Sequence, residues 1–246
     1  MEKHTNNRFV AVLDIMGFKA IVENNPPSFV YEIMKKIYDE VMEVQKHFKL
    51  HVMIFSDSIF IITEDDSQEC FEDIVIVSCR FMRFMKVGIA INGAISYGEV
   101  TYDRERNIIF GKPINDAHLC QEKLFSYSVV LLESAAKKKD SYNSFFDFCS
   151  KPDVILNDID VPIKREEDVE YKKYTILNWC EFYCTNKPNA PFEDQIEAIR
   201  NDFVNLYDKA KGKERALTYI ENTEKMLKNW FDITNSNKKW ELIGGL

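Results

Sequence analysis

Two apolar runs that each meet an aspartate constrain this chain more than any other feature. The segment RFVAVLDI (8–15) is an unbroken apolar stretch closing on Asp14. A run without polar alternation reads as a strand covered on both faces. LHVMIFSDSIFIITED (50–65) reads as two further strands joined by a tight turn at Ser56–Ser58, with Asp57 in the turn. A carboxylate at the end of a buried strand is costly unless something pairs with it. Both acids therefore ask for a partner.

The segments between and after these runs predict the architecture. The turn Met16-Gly17-Phe18 follows the first strand, and Asn24–Ser28 with its two prolines opens a helix. Residues 29–48 carry Val30, Ile33, Met34, Ile37, Val41, Val44 and Phe48 at helical spacing. Residues 71–85 read as a second helix, although their Ile and Val content also suits a strand. Residues 87–102 alternate and carry three glycines, which predicts a long strand with a bend or bulge. Residues 107–111 return as its partner strand, 113–124 form a helix opened by Pro113, and 126–134 form another strand. The order β-α-β-β-α-β is the ferredoxin-like arrangement. The expected fold class is α+β, an antiparallel sheet with helices on one face and a C-terminal helical extension. Residues 1–150 form the expected core. Residues 151–246 supply a strand or two and then two amphipathic helices separated by Lys211–Arg215.

Composition narrows the function. Asp plus Glu is 40 against 32 for Lys plus Arg, a formal charge of −8. Such a balance disfavours general binding to nucleic acid or to an anionic membrane. No apolar run is long enough to span a bilayer, and the N-terminus lacks a signal-like stretch, so a cytoplasmic protein is expected. The cysteines at 70, 79, 120, 149, 180 and 184 form no CxxC pair, and reduced thiols are the expectation.

Asp14 and Asp57 suit hard divalent cations, because Mg²⁺ takes one or two carboxylates together with substrate phosphates. A glycine-containing turn such as 15–18 offers backbone N–H groups to phosphate oxygens. The plainer alternative is that Asp14 caps the turn and Asp57 is an ordinary hairpin residue. Ser56 and Ser58 flank Asp57 and suit either a phosphate or ordinary turn bonding. His51 alternates with Met53 and Phe55 on one strand face, where it lines a base pocket or serves the sheet.

The blocks VAVLDIMGF (10–18), FSDSIFI (55–61), NGAISYGEV (92–100) and IIFGKPINDAHL (108–119) resemble the core blocks of class III nucleotidyl cyclases. More narrowly, with LNW at 177–179, they resemble the pyrimidine cyclases of the bacterial anti-phage Pycsar system. The resemblance covers about residues 8–180. It implies that Asp14 and Asp57 bind two Mg²⁺ or Mn²⁺ ions per site, with the Ile15 carbonyl as a further ligand. It implies that Met16, Gly17 and Phe18 hold phosphates through the backbone, and that Asn115 orients the ribose. The implied reaction closes UTP or CTP to the 3′,5′-cyclic monophosphate and releases pyrophosphate, a second messenger for defence against phage. The implied assembly is a homodimer whose sites are built from both chains.

Several positions depart from the broad pattern. Leu119 stands where a transition-state arginine is usual. Met53 stands where purine cyclases carry a base-reading lysine, and Ile108 where they carry an acid. Asn92 stands where many members of the narrower group carry an arginine. Lys112, Arg104 and Arg106 are the candidates for the missing positive charge. A catalytically silent module that binds a nucleotide or a partner is the alternative reading. A diguanylate-cyclase-like domain shares the strand order, but its G-G-D/E-E-F signature is absent from the sequence.

Overall fold

The computed structural model describes residues 4–106, 108–142, 154–165, 169–182 and 192–234, with the side chains of 181, 182, 192–196 and 230–234 excepted. They fall into two compact units that interleave along the chain. The first comprises 1–78, 93–121 and 131–145, and the second 79–92, 122–130 and 146–246.

The first unit is built around strand β1 (Thr5–Ile15). Phe9 to Leu13 are all buried to within 1% of full coverage, as the unbroken apolar run requires. Helix α1 (Phe18–Asn24) follows and α2 (Pro27–His47) comes next, opened by Pro27 in its first turn. Ile37, Val41 and Val44 form the buried stripe of α2, at spacings of four and three. Strands β2 (Leu50–Phe55) and β3 (Ser58–Thr63) make the expected hairpin, and α3 (Gln68–Met82) returns toward β4 (Ile91–Asp103). The strand order is β2-β3-β1-β4, with the short β5 (Ile108–Phe110) paired to the end of β4. Helix α4 (Lys112–Lys123) closes this run of elements.

Gly93 shows why β4 can lie against β1. A Cβ there would sit 2.4 Å from Leu13 Cδ2 and 2.6 Å from the Val12 carbonyl oxygen. Phe9 packs on Phe71 of α3 at 4.9 Å and on Tyr97 of β4 at 5.0 Å between ring centroids. This apolar cluster sits on one face of β1 and couples the strand to both neighbours.

Strand β6 (Val129–Leu131) is shorter than the 126–134 expected, and α5 (Glu133–Lys139) begins within the predicted strand. The Tyr127 N–H donates to Thr223 Oγ1 at 2.8 Å, a side chain rather than a strand partner. Helix α1 is a further element beyond the sequence expectation. It is a single short helix started by Gly17 in the left-handed region, at φ 72°. The segment 71–85 resolves as helix, with a 3-10 turn over Arg83–Val87 in place of its expected end.

In the second unit the strand order is β6-β8-β7, with β7 (Ile155–Lys164) and β8 (Val169–Leu177) antiparallel. A bulge between Leu156 and Ile159 interrupts their register, where Asp158 takes φ 58°. Trp179 is buried in a 3-10 turn, so it serves packing. Helices α6 (Phe192–Ala210) and α7 (Glu214–Thr234) form the expected pair, with the break at 211–213. Cys70, Cys79, Cys120 and Cys180 are buried free thiols, while Cys149, Cys184 and Trp240 lie outside the described residues. No described helix is long and apolar enough to cross a membrane.

Candidate active site

The hairpin tip and the end of β1 bring the two aspartates together. Phe55 pairs with Ser58, leaving Ser56 and Asp57 as a two-residue loop. Asp14 pairs with Ser58 across the β1–β3 ladder. Beyond that rung, the Ile15 N–H donates to the Asp57 carbonyl oxygen at 2.9 Å. Opposed Cα atoms in an antiparallel pair lie about 5 Å apart and sequential ones about 3.8 Å. The Cα atoms of Asp14 and Asp57 are therefore no more than about 9 Å apart. Two ions about 4 Å apart could be gripped by carboxylates at that spacing. Both residues are half-buried. Ser56 pays for the tight loop with φ 57°, a left-handed conformation that costs a non-glycine residue about 1 kcal/mol.

The turn beside this pair exposes backbone donors. Gly17 has no heavy atom within 4 Å of the position a Cβ would take. The first bond inside α1 runs from Ile21 N–H to the Gly17 carbonyl at 3.1 Å. The N–H groups of Phe18, Lys19 and Ala20 precede it and have no partner within the helix, as at any helix start. Met16 and Phe18 are half-buried, and Ile15 is buried.

The register also defines one face of the sheet. Asp14, Ser58 and Phe55 form one cross-strand row, Val12, Phe60 and Met53 the next, and Val10, Ile62 and His51 the third. Phe55 is 80% exposed beside the acids. His51 stacks on Tyr102 of β4 at 5.3 Å. Burial holds the His51 imidazole below its ordinary range, and the nearby Arg104 charge adds to the effect. Arg104 thus acts on this face, while its neighbour Arg106 is engaged elsewhere. The Arg106 guanidinium donates to Asp103 at 2.8 Å and its N–H donates to the same carboxylate at 3.0 Å. Asn92 is wholly buried in β4 and presents no exposed amide.

Helix α4 carries the remaining predicted residues. Lys112, Asn115 and Leu119 share an exposed helical face at spacings of three and four. Lys112 is 83% exposed and pairs with Asp116. It also lines a cleft of about 480 Å³ with Gly98, Glu99, Gly111 and Ser134. Leu119 is 53% exposed, an apolar side chain on a polar surface. The structure thus gathers Asp14, Asp57, Ser56 and the 15–18 turn at one end of the sheet. Met53 and His51 lie along the same face, and Lys112 and Asn115 stand on a separate element.

Tyr102 is a neighbour of His51 that the sequence does not announce. The alternation of His51, Met53 and Phe55 contained the signal for Phe55. Tyr102 had none, because its contact with His51 joins strands distant in the chain. Among the described residues no three His, Cys, Asp or Glu side chains cluster as a metal cage. Two carboxylates with substrate phosphates satisfy Mg²⁺ without one, so the donor set present, hard oxygens on a half-open strand end, fits such an ion.

No protein-family model matches the chain, and no curated protein matches it. Solved structures do. A guanylyl cyclase, Cya2, superposes with a TM-score of 0.52 at 11% identity, covering 70% of this chain and 92% of that one. The catalytic core of a rhodopsin-guanylyl cyclase with converted specificity, in complex with ATPαS, gives 0.54 at 12% identity, over 70% and 95%. The guanylate cyclase domain from Catenaria anguillulae, in complex with GTP, gives 0.51 at 14% identity, over 70% and 96%. At these identities the likeness is one of fold: the chain has the fold of class III nucleotide cyclase domains.

Proposed function

We propose that the chain is a nucleotide cyclase that closes UTP or CTP to the 3′,5′-cyclic monophosphate. The observation that carries this reading is the β1–β3 register, which sets Asp14 opposite Ser58 and bonds Ile15 to the Asp57 carbonyl. In this reading the carboxylates of Asp14 and Asp57 and the Ile15 carbonyl hold two Mg²⁺ or Mn²⁺ ions. Bound there, such ions neutralise phosphate charge and acidify the attacking hydroxyl. The N–H groups of Gly17 and Phe18 hold phosphate oxygens, and Ser56 hydrogen-bonds at the same edge. The ribose 3′-oxygen attacks the α-phosphorus while its proton passes to solvent water. The bond from that phosphorus to the bridging oxygen breaks, and pyrophosphate leaves.

Asn115 orients the ribose, and Lys112 meets charge that develops on the phosphates. Arg104 and Arg106 are the further candidates for that charge; Arg106 pairs with Asp103 as Lys112 pairs with Asp116. Met53 and Ile108, in place of a purine-reading lysine and acid, support a pyrimidine base. The resemblance to Pycsar cyclases supports a homodimer with shared sites and a messenger role in antiviral defence. Exposed Phe55, Phe110 and Leu119 are apolar surface of the kind that a second copy covers.

The silent-module alternative has one observation in its favour, the exposed Leu119 on the α4 face where a cation would serve chemistry. Incubating the protein with each of ATP, GTP, CTP and UTP in Mn²⁺ separates the two. A cyclic pyrimidine product with stoichiometric pyrophosphate is the expected result. Binding without turnover of any of the four favours the module.

A further inference from the structure

The first unit encloses two polar groups that bond to nothing among the described residues: the Tyr102 hydroxyl and the Arg8 Nε–H. They are neighbours, because the Arg8 charge acts on the Tyr102 phenol. Tyr102 stacks on His51 at 5.3 Å with 28° between the rings, and the Arg104 charge acts on both rings. His51 follows Met53 on the same sheet face, one cross-strand row farther on. Arg8 Nη1 donates to the Thr63 carbonyl at 2.7 Å and to the Glu64 carbonyl, which holds that guanidinium in place and leaves its Nε–H over. Arg104, in the turn after β4, is exposed.

Enclosed polar groups are nearly always paired, because water no longer satisfies them. Two stranded ones side by side call for a bound partner, and their chemistry says of which kind. Burial pushes the Tyr102 phenol up, more than the Arg104 and Arg8 charges pull it down, so it keeps its proton. Burial, and then Arg104, holds the His51 imidazole below 6.5, so it is neutral at pH 7. The acids in electrostatic reach of Arg8 are Asp65 and Glu64. The groups left over are therefore donors, set beside a flat, uncharged aromatic pair. A planar ring edged with acceptor oxygens fits them. Uracil carries a carbonyl acceptor at position 4, where cytosine carries a donating amino group. A guanidinium only donates, so it pairs with the carbonyl and opposes the amino group.

We propose that Tyr102 is a specificity-determining residue, which with Arg8 and Arg104 selects uracil over cytosine, so that UTP is the substrate. This rests on the cyclase reading above. The base lies on the His51–Tyr102 pair, whose rings are both half-buried and so reachable from solvent. A small turn of the Tyr102 ring brings its hydroxyl to the carbonyl at position 4. None of these groups makes or breaks a bond; they decide which base is held.

The test measures kcat/KM for UTP and CTP, and calorimetric binding of their α,β-methylene analogues in Mn²⁺, for the full chain and for Tyr102→Phe. The wild-type protein should prefer UTP by about 10- to 100-fold. Tyr102→Phe keeps the ring and its stacking. It should cut that preference to about 3-fold or less by raising KM for UTP, with pyrophosphate affinity within about two-fold of wild type. Its thermal midpoint should not fall, since a hydroxyl without a partner holds nothing in place. If Tyr102→Phe does not fold, Arg104→Gln reads the same ratio. Equal use of the two nucleotides, or a preference for CTP, overturns the proposal, as does a Tyr102→Phe variant that discriminates like wild type. A wild-type protein that closes no nucleotide sinks the cyclase reading instead, and the two analogue titrations then still decide whether the site chooses uracil.

Discussion

Asp14 and Asp57 at the strand ends differ from Asn222 and Thr223 on α7 in what their polarity achieves. The α7 residues are neutral, buried and bonded to backbone at 2.8 and 3.0 Å. Their hydrogen bonds are spent inside the protein, and the return is a unique geometry. The two aspartates are acidic and half-buried, on a hairpin tip and a strand end where backbone bonding has already positioned the main chain. Polar side chains are thus used in two ways: sealed inside and bonded to backbone on α7, half-buried at the strand end and hairpin tip.

The sharpest way to break this contrast is to remove a carboxylate. On the cyclase proposal, Asp57→Ala and Asp14→Ala should each lower turnover by on the order of 10³-fold or more, since a metal ligand supplies several kcal/mol of transition-state stabilisation. Their thermal midpoints should stay close to wild type, because neither side chain fills the core. A variant that keeps near-normal turnover, or that unfolds, places that aspartate with the structural set instead. Gly93→Ala reverses the expectation. Its methyl meets Leu13 and the Val12 carbonyl at less than contact distance, so urea unfolding should show a loss of about 1–3 kcal/mol.

Ser56→Gly should stabilise the fold by up to about 1 kcal/mol, by relieving the left-handed backbone at the hairpin. A loss of stability would mean that the serine hydroxyl does more than the turn requires. The smallest effect concerns His51, whose imidazole is held below its usual 6.5 by burial and then by Arg104. The folded protein therefore takes up this proton less readily than the unfolded chain. The stability linked to it is present above about pH 6.5 and is lost as pH falls toward the folded midpoint. Arg104→Gln should raise that midpoint in an NMR titration; no movement would remove Arg104 from this face of the sheet.

Much of this was legible because it is local. The unbroken apolar run at 8–15, the tight turn at Ser56–Ser58, and the spacing of Ile37, Val41 and Val44 are each signals within a short window, although the structure narrows the turn to Ser56 and Asp57. The strand order followed from the sequence of elements, and with it the meeting of Asp14 and Asp57. What escaped depends on contacts that no window of sequence contains. Helix α1 is a single turn or two started by one glycine, too short to show a period. Strand β6 starts late where the Tyr127 N–H is taken by Thr223 Oγ1. The grip of α7 on Leu124 to Tyr127 joins residues about a hundred positions apart in the chain, and Thr223 and Asn222 look like ordinary solvent-facing helix residues until that partner is seen.

The Ser56–Asp57 loop has the minimum length that lets two strands turn. It holds no slack to absorb an added residue, because the rung at Phe55–Ser58 and the Ile15 bond close it on both sides. One inserted residue would rotate the following strand by half a pleat and send Ser58 and Phe60 to the opposite surface. Length variation among relatives of this chain should therefore spare this hairpin, and a purification tag or reporter inserted there should silence the protein where the same insertion between α6 and α7 would not.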